Sequence, residues 1–302
     1  MSEFDLISRY FSGFDRDALV GVGDDAAVVK PGPDKRLVVA TDTLIEGVHF
    51  PADTPADSVG FRALAVNLSD LAAMGATPRW FTLALTLPEE NTIWLEGFSQ
   101  ALIRLADRFG IGLIGGDTTR GQLSITITAI GEADQVLTRS GAKPGDKLWI
   151  GGYPGEAAGG LTCWARRHES SAEIQRLVER FLYPEPQVSL GYDLNRRANA
   201  AIDVSDGLVA DLAHLCSASQ CGAEVDLDHL PLSDALLSVV GGEGAQSLAL
   251  SGGDDYLLLF TARPSESFES CFVIGKMTEA PEIELRQGGD VVTWDKGGYR
   301  HF

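Results

Sequence analysis

Aspartate stands beside glycine, serine or threonine in five short segments of this chain: GVGDD (21–25), ATDT (40–43), NLSD (67–70), IGGDTT (114–119) and AIDVSDG (201–207). The scatter predicts one convergent acidic site. Carboxylates gathered in one place repel each other by roughly 4 kcal/mol per pair at about 4 Å and an effective dielectric of about 20, so such a site calls for cations. Hard oxygen ligands of this kind select magnesium, manganese or calcium. The overall charge agrees, since 24 Lys and Arg against 43 Asp and Glu leave a formal −19. That excludes a nucleic-acid binder, which needs a basic face. It would also repel a phosphate substrate unless divalent ions bridge carboxylates to phosphate oxygens. Solvated surface accounts for much of the excess but not for the motifs.

Positioning these groups falls to strands and helices. Asp42, Asp117 and Asp203 follow the apolar runs 37–41, 111–115 and 200–204, read as strands whose C-terminal ends carry the site. For any one of them, capping of a following helix is an equal alternative. Asp70 lies in a helix predicted over 58–74, with Asn67 at i, i+3 and an apolar face of Phe61, Leu64, Ala65 and Leu68; a solvated face would look the same. Gly115 and Gly116 before Asp117 would let a phosphate approach backbone N–H groups, and SGGDDY at 251–256 offers a similar turn. No GxxxxGK[ST] occurs, and GGYPGEAAGG at 151–160 has no GxGxxG register. DVSDG is no EF-hand, because its twelfth position is His214. Arg139 and Lys143 could meet nucleotide phosphates or be surface charges; His49 could touch substrate or cap its turn; Trp294 and Tyr299 could stack on a heterocycle or pack.

Around these residues the chain reads as α/β in two parts. Residues 3–11 form a helix, 80–87 a strand, 92–110 a helix and 123–132 a strand. Turn chemistry in TRSGAKPGDK (138–147) separates domains at 1–137 and 138–302. Beyond it, strands are predicted at 147–152, 200–204, 223–227, 256–260 and 271–275, with helices at 156–168, 172–182, 187–199 and 207–219. With 44% hydrophobic residues the chain can bury a large core. The four cysteines form no CxxC pair, so inert reduced thiols are expected. No secretion signal or membrane-length apolar run is found. A cytoplasmic protein with no membrane partner is expected.

Taken in order, GVGDDAA, ATDTLIEGVHF, ALAVNLSDLAAMGA, LIGGDTTRG, LTRSGAKPGD, AIDVSDGL and SGGDDY resemble the thiamine-monophosphate kinase family over nearly the whole chain. That family belongs to an ATP-binding superfamily with aminoimidazole ribonucleotide synthetase and selenophosphate synthetase. The resemblance implies a two-domain α/β (α+β) fold, an N-terminal sheet that forms a dimer barrel, and ATP held between domains. It implies phosphorylation of thiamine monophosphate by ATP, assisted by several Mg2+ ions. Residue by residue it assigns metal binding to Asp25, Thr41, Asp42, Asp70, Asp117, Asp203 and Asp206, with Asp42, Asp117 and Asp206 catalytic. ATP falls to Gly116, Asp117, Arg139 and Ser205, and the acceptor to His49, Asp254 and Trp294. Asp254 departs from the glutamate common in the family, one methylene longer, and the tryptophan before the GYRHF tail is displaced. The competing expectations are a sister synthetase or a non-catalytic metal or nucleotide binder. Selenophosphate synthesis is disfavoured by the lack of a Cys near the N-terminus.

Overall fold

The structure, a computed structural model, describes all residues except 1, 2, 15, 23, 24, 295–297 and 300–302. Gly23 and Asp24 of the GVGDDAA motif, and the last three residues of the GYRHF tail, thus lie outside the described residues. The described residues divide into two compact units, 1–71 with 76–134, and 72–75 with 135–302.

The first unit runs α1 (Glu3–Tyr10), β1 (Ala18–Val20), β2 (Val28–Val29), β3 (Arg36–Ile45), α2 (Ala56–Ala73), β4 (Thr77–Leu87), α3 (Thr92–Phe109), β5 (Gly112–Arg120) and β6 (Ser124–Ala133). Its main sheet has the order β3-β6-β4-β5, antiparallel except for the β4/β5 pair. Alternation along β6 buries Ile125, Ile127 and Ala129 and leaves Thr126, Thr128 and Ile130 half-exposed on the other face. α3 begins where Asn91 accepts a hydrogen bond from the Trp94 N–H at 3.0 Å, and ends at Gly110 in the left-handed region. Its buried stripe is Leu95, Phe98, Leu102 and Leu105. Gly60 lets α2 lie against α3, since a Cβ there would stand 2.2 Å from the Phe98 carbonyl oxygen.

Two strands extend further than the apolar runs suggest. Asp42 and Asp117 therefore sit inside β3 and β5, not at their ends. The reason is pairing: β3 holds register with β6 without a break from Arg36 opposite Ala133 to Ile45 opposite Ser124. Threonines and an aspartate are kept in a strand by the ladder beside them.

The second unit runs β7 (Lys147–Ile150), α4 (Glu156–Thr162), α5 (Ala172–Leu182), α6 (Val188–Leu194), β8 (Ala198–Val204), α7 (Leu208–Ser219), β9 (Gly222–Asp226), α8 (Asp234–Ser251), β10 (Leu257–Ala262), β11 (Phe272–Thr278), β12 (Ile283–Gln287) and β13 (Asp290–Val292). The seven strands order as β13-β12-β9-β11-β7-β10-β8, and only β12 runs parallel to its neighbour β9. One face packs Ile150, Ile202, Val204 and Ile274 with Leu212 and Leu215 of α7. The other stacks Trp149 on Phe260, with Phe268 edge-on to both. All four cysteines lie in this unit as free thiols, three of them buried and Cys271 half-buried. The predicted helices 156–168 and 187–199 are shorter than expected: 156–162 is followed by a 3-10 turn at Trp164–Arg166, and α6 gives way to β8.

Candidate active site

In the first unit, the buried Asn67 on α2 ties the helix to the sheet. Its amide donates to the Ala63 carbonyl at 3.1 Å and its oxygen accepts from the Asp42 N–H at 3.2 Å. This brings α2 alongside β3, so that the Asp42 and Asp70 carboxyls are hydrogen-bonded to each other. Burial pushes Asp42 above the usual carboxylate range, with the Asp70 contact opposing the shift. Two carboxyls so placed must share either a proton or a cation. Thr41 lies on the opposite face of β3, its hydroxyl 2.9 Å from that of Thr128.

Asp117 is not beside this pair. β5 and β3 are separated by β4 and β6, about 14 Å at the usual strand spacing. One magnesium ion, with ligands at about 2 Å, cannot bind both. Among the described residues no group of three or more His, Cys, Asp and Glu is close enough to hold an ion. Gly116 beside Asp117 has its Cα against the neighbouring strand, where a Cβ would stand 1.8 Å from the Leu83 carbonyl oxygen. Asp25 is exposed. His49 closes the turn after β3: its Nδ1 accepts from the Ile45 N–H at 3.0 Å. The neutral ring therefore carries its proton on Nε2.

In the second unit the loop from Asp203 to Gly207 joins β8 to α7. Its N–H groups at Ser205, Asp206 and Gly207 all point to one oxygen of Asp211, at 3.0, 3.0 and 3.2 Å. Burial, with the nearby charges of Asp203 and Asp206, pushes the Asp211 carboxyl up to about 7, although the backbone donors oppose this. Beside the loop runs the segment 252–256, in which Asp254 and Tyr256 have φ of 71° and 50°. The Asp254 N–H donates to the Ser205 carbonyl and the Tyr256 N–H to the Val204 carbonyl, each at 2.8 Å. The Tyr256 hydroxyl donates to the Asp254 carboxylate at 3.3 Å. Asp255 turns inward, accepting from the N–H groups of Gly155 at 2.6 Å and Ala157 at 3.1 Å. Burial pushes it up to about 7.

Asp203, Ser205, Asp206 and Asp254 are thus gathered at one end of α7. The main chain of Arg139 is not with them. Its carbonyl accepts from the hydroxyl of Ser219, the last residue of α7, a helix length of about 16 Å away at 1.5 Å per residue. One ligand touching both ends must be extended. Trp294 is half-buried against the core of this unit. Asp211 and Asp255 escaped the sequence reading. For Asp211 a signal existed: it falls within the apolar stripe Leu208, Leu212, Leu215 of a helix, where a carboxylate needs a partner. Asp255, second of an Asp pair, carried none.

Comparison with known proteins adds to this geometry. The family described as AIR synthase related protein matches in two parts, its N-terminal domain over residues 23–133 and its C-terminal domain over 143–287. A thiamine-monophosphate kinase of Salmonella typhimurium is 44% identical over 318 residues, covering 99% of this chain and 98% of the relative. The crystal structure of thiamine-monophosphate kinase from Stenotrophomonas maltophilia K279a is 43% identical, with a TM-score of 0.86 and 96% of each chain covered. The structure of AaThiL complexed with AMPPCP and TMP is 31% identical, with a TM-score of 0.84, covering 99% of this chain and 96% of the other. With those matches spanning both units, this chain belongs to the thiamine-monophosphate kinase family, with AIR synthase related N- and C-terminal domains.

Proposed function

We propose that this chain transfers the γ-phosphoryl group of ATP to thiamine monophosphate, forming thiamine diphosphate and ADP. The observation that carries the chemistry is the contact between the Asp42 and Asp70 carboxyls, a donor set of hard oxygens suited to Mg2+. The relative solved with AMPPCP and TMP supports both substrates. A bound Mg2+ would supply charge neutralisation to the reacting phosphates. Asp25, Thr41, Asp42, Asp70, Asp117, Asp203 and Asp206 are the residues proposed to hold several such ions, with Asp42 and Asp117 serving different ones. Gly116, Asp117, Ser205 and Arg139 bind ATP. Because Arg139 and Ser205 mark opposite ends of α7, Arg139 serves the part of the nucleotide far from Ser205.

His49 contacts the acceptor, and Asp254 and Trp294 hold its heterocyclic part. The acceptor phosphate oxygen is already ionised at neutral pH, so no strong general base is required. Positioning and charge neutralisation by Asp42, Asp117 and Asp206 then suffice for direct in-line transfer without a phosphoenzyme. We further propose domains at 1–137 and 138–302, a cytoplasmic location, and a homodimer barrel built through the open face of the β3-β6-β4-β5 sheet. The exposed Leu37 and Val39 on that face support the dimer. No helix among the described residues is long and apolar enough to cross a membrane.

The test is chromatography of products after incubation with Mg2+, ATP and thiamine monophosphate, omitting each in turn. Thiamine diphosphate with matching ADP is the expected result. ATP turnover indifferent to thiamine monophosphate would overturn the reading in favour of a sister synthetase, and no turnover in favour of a binding protein.

A further inference from the structure

The loop 203–207 and the segment 252–256 are joined by main-chain hydrogen bonds. An aspartate oxygen that collects three successive N–H groups forces the loop to curl, with its carbonyls turned outward. Two of those carbonyls are taken at once, Ser205 by the Asp254 N–H at 2.8 Å and Asp206 by the Tyr299 N–H at 3.0 Å. The approach is so close that only glycine fits opposite: a Cβ on Gly253 would stand 2.4 Å from the Ser205 oxygen, and one on Gly298 2.4 Å from the Asp206 oxygen. The direction of these carbonyls, and hence the register of the segment carrying Asp254, depends on how the N–H groups on the other side of the loop are held. Asp211 holds all three.

We propose that Asp211 is a positioning residue for phosphoryl transfer, fastening the 203–207 loop so that Asp203, Ser205 and Asp206 stand in fixed register with Asp254. This rests on the kinase reading, in which the loop serves nucleotide and metal and Asp254 serves the acceptor. Asp211 itself touches only main chain in that loop, so it acts through the geometry of others. A helix cap with no functional role would affect stability alone.

Three variants separate these cases, each assayed well below its own melting temperature. Asp211→Ala is expected to weaken binding of Mn2+–AMPPCP by about ten-fold in calorimetry and to lower kcat by about a hundred-fold, the scale of a lost supporting contact. Asp211→Asn keeps an oxygen for the three donors and should stay within about five-fold of the wild type in both. Gly253→Ala drives a methyl group against the Ser205 carbonyl and displaces the segment that carries Asp254; it should raise the KM for thiamine monophosphate by about ten-fold. Wild-type nucleotide binding and kcat in Asp211→Ala, with only a lower melting temperature, would overturn the proposal. So would an Asn variant as impaired as the Ala variant. If the wild type makes no thiamine diphosphate, the kinase reading fails, while calorimetry on Asp211→Ala still decides whether this residue shapes the nucleotide loop.

Discussion

At the scale of single residues, burial divides the acidic groups into two kinds. Asp42 meets a second carboxyl and serves a site, so Asp42→Asn should leave the circular dichroism spectrum intact while removing most turnover, a hundred-fold or more on the order of a lost metal ligand. Turnover near that of the wild type would exclude Asp42 from the metal site. Asp255 accepts from backbone donors, within the field of Arg180 and Asp254, and serves the fold. Its folded-state value of about 7 lies above the ordinary aspartate value of 3.8, so the native state holds this proton more tightly than the unfolded chain. Its contribution to stability is therefore full below about pH 4 and lost progressively as pH rises from there through about 7, a change of about 4 kcal/mol over the whole window and of about 2–3 kcal/mol above pH 5. Denaturation from pH 5 to 8 should show the wild type losing stability relative to Asp255→Asn. Parallel profiles would contradict that.

Among the elements, legibility in the sequence follows from how local each cause is. α3 could be read completely because Asn91, the Leu95–Phe98–Leu102 stripe and Gly110 are all its own. α8 could not, since VVGGEGAQ interrupts any stripe and the helix kinks at Gly241, with φ 73°. The β12–β13 hairpin does carry a local signal, since Gly288 and Gly289, both with positive φ, lie between its strands. The ends of β3 depend on β6, and the distance between Asp42 and Asp117 depends on strand order, neither of which is local. For the candidate site, the aspartate residues were legible but their grouping was not: Asp42 with Asp70, Asp203 and Asp206 with Asp254, and Asp117 apart. Strand order also makes β5 sensitive to one methyl group. Gly116→Ala would push the edge strand off Leu83, and we expect a loss of about 1–3 kcal/mol in urea denaturation together with weaker ATP binding. Unchanged stability would show that the strand yields without strain.

For the whole molecule, the proposed dimer puts the open sheet face at the contact between copies. Val39 is 61% exposed in the middle of a strand, flanked on the same face by hydroxyl pairs at Thr41–Thr128 and Thr43–Thr126. Val39→Glu should halve the mass measured by light scattering while leaving secondary structure unchanged, because a charge inside an apolar contact loses its hydration without a partner. A wild type already of single-chain mass would remove the dimer from the proposal.

The cysteines give the second unit a clock of its own. Cys163 sits between α4 and α5, while Cys216 is on the buried side of α7 and Cys221 follows that helix; burial pushes the thiol of Cys216 up to about 12 and that of Cys271 to about 11. A colorimetric thiol reagent attacks only exposed thiolate, so it waits for each region to open. Cys271, half-buried, should colour first and the other three later, each at the rate at which its own neighbourhood breathes. If nucleotide binding to the 203–207 loop slows Cys216 and Cys221 but leaves Cys163 unchanged, the reagent will have timed how far a ligand's grip travels along α7.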